Sequence, residues 1–162
     1  MAMDSSVIQI QRAWQDSTRQ ALHPTVEAYF RDQTESPIPR AARLALLQLA
    51  EHGPLHVTEL AGLCAVDVST MSRTVRTLFD AGLVTREADT DLRAVRLAIT
   101  AEGLEAIARL IRASQELIES VLVSWTPEDR EQLALLMARF SEDFAAHLGH
   151  KPQFAHAAGA AH

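Results

Sequence analysis

Between residues 58 and 100 the apolar positions change period twice. Leu60 and Leu63 mark a short helix opening at Thr58, a hydroxyl N-cap, with Leu55–Val57 able to form a short strand leading into it. After a break, Met71, Val75 and Leu78 recur at helical spacing, an inward stripe on a second helix. Asp67 is its N-cap candidate, and the helix runs from Val68 to about Ala81, ending at Gly82. Leu83-Val84-Thr85 and Val95-Arg96-Leu97-Ala98-Ile99 then have the residue types of two antiparallel strands, joined by the charged stretch from Arg86 to Arg93. Helix, turn, helix and hairpin in that order predict a winged helix-turn-helix. Such a unit lays one helix in the major groove of duplex DNA and a loop in the adjacent minor groove.

The flanks are helical. Val7, Ile8, Ile10, Trp14, Leu22, Val26, Tyr29 and Phe30 give residues 5–34 a loose helical pattern that Pro24 interrupts. Leu44, Leu46, Leu47 and Leu49 predict a helix over about 38–52, stopped by Gly53, which can take the left-handed cap. From Thr100, a long helix carries Leu104, Ile107, Ile111, Leu117, Ile118, Val121 and Leu122. Thr126 as N-cap and Pro127 at the first helical position begin a last one, with Leu133, Leu136, Met137, Phe140, Phe144 and Leu148. The fold class is therefore mostly α with a small β-hairpin wing. The expected organisation is an N-terminal dimerisation helix (1–36), a DNA-binding domain (37–100), C-terminal dimerisation helices (101–149) and a mobile Ala/His-rich tail (150–162). A winged helix needs only about 60–90 residues, so the surplus apolar stripes are most simply buried across a two-fold axis. Closure of those helices over their own reader, as a monomer, is the alternative.

Charge refines the picture. The net charge of −6 argues against coating nucleic acid by bulk electrostatics. Residues 101–162 hold nine acidic and five basic side chains (−4), whereas residues 53–100 hold six and five (−1), so acidity sits mostly away from the proposed reader. Fourteen of the fifteen Lys and Arg residues are Arg, which suits bidentate contacts to guanine or phosphate. No stretch approaches the roughly 18 apolar residues of a membrane span, and the N-terminus lacks the plan of a secretory signal, which predicts a cytoplasmic protein with no membrane partner. The single cysteine, Cys64, forbids an internal disulfide and fits a reducing compartment.

On the second helix of the motif, Ser69, Ser72, Arg73 and Arg76 fall together on the face opposite the apolar stripe, with Thr70 and Thr77 alongside. Hydroxyls reach phosphates or base edges, and Arg forks grip guanine or phosphate. In the hairpin, Arg86 and Arg93 supply cations. Arg93 near the tip suits a narrow minor groove, and Asp91 is placed to brace it or a recognition-helix Arg.

These residues also carry a resemblance. Leu60-Ala61-Gly62-Leu63, Ser69 to Arg73, Leu78 to Val84, and Asp91-Leu92-Arg93 with Thr100 resemble the MarR-type (multiple antibiotic resistance regulator) transcriptional regulators over about residues 44–104, the flanking helices matching in order and length. The resemblance implies a homodimer on a pseudo-palindromic operator, commonly a repressor released by a small phenolic or lipophilic ligand or by cysteine oxidation. It also implies an effector cavity where the dimer helices meet the reader, for which Trp14, His23, Tyr29 and Arg43 are the candidates. Two departures stand out: Leu92 where the wing often has Arg, and Arg76-Thr77 in place of a common Asp-Arg pair.

Other chemistry is thin. No nucleophile elbow, glycine-rich phosphate loop or HExxH occurs, so no enzyme and no cofactor are expected. His147, His150 and His156 lack the Cys or carboxylate company of a metal site, and none is expected. Two alternatives remain: a winged-helix protein-interaction module without DNA binding, and a thiol-based redox sensor through Cys64. Against the second, no neighbouring cation or resolving Cys is visible.

Overall fold

A computed structural model describes residues 4–34, 38–88 and 95–149. Its elements run α1 (Ser5–Ala21), α2 (Pro24–Thr34), α3 (Arg40–His52), α4 (Val57–Leu63), α5 (Val68–Asp80), β1 (Val84–Ala88), β2 (Val95–Ile99), α6 (Ala101–Val121) and α7 (Pro127–His147). They fall into two compact units, one ending at Glu116 and one beginning at Leu117.

In the first unit, α3, α4 and α5 pack around Leu46, Leu49, Leu60, Met71 and Leu78, all fully buried, and the sheet closes the core with Val84 and Leu97. The caps are local and follow the sequence. Pro24 opens α2, Gly53 ends α3 at φ 75°, and the Asp67 carboxylate accepts the Thr70 N–H at 2.8 Å. In the α4–α5 turn Ala65 takes φ 52°, a left-handed conformation more often given to glycine.

Three expectations need correction. Thr58 is not the N-cap of α4: His56 is, because Glu59 reaches back to accept the His56 N–H at 2.7 Å, leaving Thr58 inside the first turn. The short strand before α4 reduces to one bridge, in which Leu55 and Leu97 exchange backbone hydrogen bonds of 3.0 and 2.8 Å. The hairpin is also longer than the apolar residues indicate. Arg86, Glu87 and Ala88 pair with Leu97, Arg96 and Val95, since an antiparallel partner satisfies their backbone groups whatever their charge.

The end of α5, the start of β1 and the start of α6 meet at one joint. Thr100 N–H donates to the Leu83 carbonyl at 3.1 Å, its hydroxyl donates to the Gly82 carbonyl at 2.8 Å, and that hydroxyl accepts the Gly103 N–H at 3.0 Å. Gly103 is buried here, and a Cβ built on it would lie 2.3 Å from the Leu83 oxygen. From this joint α6 sends Ala106, Ile107 and Leu110 into the core.

In the second unit, Thr126 caps α7 by accepting the Asp129 N–H at 3.2 Å, with Pro127 in the first turn as its sequence predicts. Helix α7 exposes Leu135, Leu136 and Met137, its C-cap Leu148 is exposed as well, and Ile118 and Val121 are exposed at the end of α6.

Candidate nucleic-acid interface

Helix α5 divides as its spacing dictates. Met71 and Leu78 are buried and Val75 packs against the core, whereas Ser69, Ser72, Arg73, Arg76 and Thr77 are exposed and Thr70 is half-buried. Arg73 and Arg76 are exposed and form no ion pair among the described residues, and each fork carries five N–H donors that suit a planar acceptor.

The hydroxyls are arranged otherwise than their types alone imply. Ser69 and Thr70 both donate to the Asp67 carboxylate, Thr70 at 2.6 Å. Ser72 donates to the Val68 carbonyl at 2.7 Å and Thr77 to the Arg73 carbonyl at 3.2 Å. A hydroxyl has one proton, so in this arrangement these groups offer acceptor lone pairs, which suit the amino edges of adenine and cytosine. Contact with a phosphate would require each to leave its local partner. The donated protons hold the Asp67 carboxyl well below the usual carboxylate range, the Ser69 hydroxyl first among the causes.

Arg86 lies on β1, exposed, with its guanidinium 5.4 Å from the centre of the Phe79 ring at the end of α5. Asp91 and Arg93 lie outside the described residues. A groove of about 190 Å³ runs between the first turn of α3 and α5, lined by Pro39, Ala41, Ala42, Thr70, Arg73, Thr74 and Thr77. Sequence reasoning missed this contribution of α3, because no local signal records which helix packs beside the reader.

The four residues considered for an effector are not gathered around that groove. Trp14 is exposed on α1, and His23 shares a 2.9 Å hydrogen bond with the Thr25 hydroxyl. Tyr29 donates its hydroxyl to the Ala113 carbonyl at 3.2 Å. Arg43 clamps α2 to α3: it donates to both Glu27 oxygens at 2.9 and 2.6 Å and to the Ile38 carbonyl at 3.0 Å, and lies 5.3 Å from the Phe30 ring centre.

The Arg43 hydrogen bonds hold the Glu27 carboxyl below its ordinary value of 4.5. A carboxyl with a lowered folded pKa stabilises fully above its unfolded pKa and loses that contribution as pH falls through the folded value. Glu27→Gln should therefore flatten part of the loss of thermal stability below about pH 4.5. Melting curves from pH 7 to pH 3 check this, and parallel pH profiles for the two chains would contradict it.

Cys64 caps the end of α4 and packs partly against the core, and burial pushes its thiol pKa up. That shift disfavours the thiolate on which peroxide sensing depends. Cys64→Ser should keep DNA binding and leave the response to peroxide unchanged, as read by DNA-binding titrations with and without the oxidant. Peroxide release of the original chain but not of the variant would contradict it. Among the described residues no cluster of His, Cys, Asp and Glu is arranged to hold a metal ion, and no helix is long and apolar enough to cross a membrane.

Comparison with known proteins agrees with this geometry. Residues 39–95 match the model of the MarR family. The chain is 31% identical over 121 residues to the uncharacterized HTH-type transcriptional regulator YxaD of Bacillus subtilis (strain 168), spanning 72% of this chain and 85% of that one. Among solved structures, a MarR family protein from Bacillus stearothermophilus superposes with a TM-score of 0.77 at 23% identity, covering 89% of this chain and 99% of that one. RV1404 from Mycobacterium tuberculosis gives 0.73 at 24% identity, covering 88% and 97%.

Proposed function

The chain belongs to the MarR family and is a DNA-binding transcriptional regulator, and from that premise we propose that it acts as a homodimeric repressor, released from a pseudo-palindromic operator by a small lipophilic or phenolic ligand. The observation that carries the DNA-binding part is the outward face of α5, where Arg73 and Arg76 stand without ion-pair partners among the described residues beside acceptor hydroxyls. Arg73 and Arg76 read base edges in the major groove, with Ser69, Thr70, Ser72 and Thr77 beside them, and Arg86, Asp91 and Arg93 serve the wing.

Apolar side chains support the dimer. Val7 and Ile10 are exposed on α1, and Ile118, Val121, Leu135, Leu136 and Met137 on the C-terminal helices, more apolar surface than a solvated face needs. A second copy covering them brings two recognition helices onto one duplex. Light scattering on the intact chain at micromolar concentration should give twice the chain mass, and a monomer would overturn the assembly. A thermal-shift screen of aromatic acids tests the ligand, the expected result being a raised melting temperature accompanied by loss of operator binding.

A further inference from the structure

We propose that Phe79 is a positioning residue for DNA recognition, holding Arg86 in a fixed pose as a clamp on the sugar-phosphate backbone at the root of the wing. The inference rests on the reading of Arg86 as a DNA contact.

Phe79 is 47% exposed at the last turn of the recognition helix, so its ring face is open to a side chain from the hairpin. Arg76, one turn earlier on the helix, is exposed as well. The guanidinium of Arg86 lies 5.4 Å from the ring centre, within cation–π range. Arg86 forms no ion pair with Asp80 or Glu87 among the described residues, so the ring is the partner that orients it.

Stacking and phosphate binding use different parts of a guanidinium. An aromatic ring covers one flat face, while the N–H donors radiate in the plane and remain open to a bidentate acceptor. An unsupported Arg on a two-stranded ribbon samples many rotamers and loses that freedom on binding. Resting on Phe79, it has lost much of it already. The ring also belongs to α5 and the guanidinium to β1, so the contact fixes the wing root relative to the helix in the major groove. Sequence spacing could not reveal this, since seven positions and a tight turn at Gly82 separate the two residues.

A double-mutant cycle tests it. Operator and random duplex binding would be measured by fluorescence anisotropy at several salt concentrations for the intact chain, Phe79→Ala, Phe79→Tyr, Arg86→Ala and the Phe79→Ala/Arg86→Ala pair. Phe79→Ala should weaken operator binding roughly two- to five-fold per half-site, the scale of an exposed cation–π contact. It should also flatten the salt dependence toward that of Arg86→Ala, and the double variant should bind no worse than Arg86→Ala alone. Phe79→Tyr, which keeps the ring, should restore binding. Additive losses, an unchanged salt slope for Phe79→Ala, or a neutral Arg86→Ala would each overturn the proposal. If the intact chain binds neither duplex, the DNA-reading function itself fails, an outcome distinct from a chain that binds DNA but ignores Phe79.

Discussion

Arg73→Ala should weaken operator binding by about 1–3 kcal/mol per half-site contact, some 5- to 150-fold, and should relax the preference for one base pair in each half-site. Arg73 is exposed in the middle of the outward face of α5 and also lines the groove against the first turn of α3. Its guanidinium is exposed and is not engaged by a carboxylate among the described residues, so among them its removal leaves no buried charge and breaks no salt bridge. The loss falls on binding and not on folding. Anisotropy titrations against the operator and its single-base variants, paired with a thermal melt, separate the two. A variant with an unchanged base-preference profile, or one whose weaker binding tracks a lower melting temperature, would show that Arg73 does not read the groove.

Gly103→Ala has the largest expected effect on stability. The added methyl would stand 2.3 Å from the Leu83 carbonyl oxygen and 2.6 Å from Ile99 Cγ1. Ile99 can turn aside, but the carbonyl belongs to the backbone and is already committed to the Thr100 N–H. Helix α6 must therefore move off the wing root. Overpacking of this kind costs about 3 kcal/mol, at the upper end of its usual range, or roughly 6–12 °C in melting temperature for a chain of this size. Gly62→Ala is the control: it also lies in a helix, with nothing within 4 Å of its would-be Cβ, and should be neutral or slightly stabilising. Calorimetry on the pair would contradict this account if the two substitutions shifted the melting temperature equally.

Much of the fold was legible because its signals are local. Asp67, Gly53, Thr126 and Pro127 act within a turn of where they stand, and the Met71, Val75, Leu78 stripe needs only the helical period to point inward. The misplaced N-cap at α4 has the same origin. Glu59 rewards whichever residue lies three positions earlier, and that is His56 rather than the better-looking Thr58. The hairpin extends through Arg86–Ala88 because pairing depends on the partner strand, not on the apolarity of these residues. At the candidate site, residue types correctly grouped the face of α5. They gave no account of the direction in which its hydroxyls donate, nor of the α3 groove, nor of Phe79 under Arg86, all of which depend on neighbours that only the folded chain supplies.

On the proposed function, two copies of this chain read one duplex through paired α5 helices. A stoichiometric anisotropy titration of the DNA flanking its own gene, run beside a random duplex of equal length over a range of salt, tests it most directly. The expected result is saturation at two chains per site, an affinity for that DNA at least about a thousand-fold above random duplex, and a decline of both affinities with salt. Equal affinity for the two duplexes, or saturation at one chain per site, would contradict it.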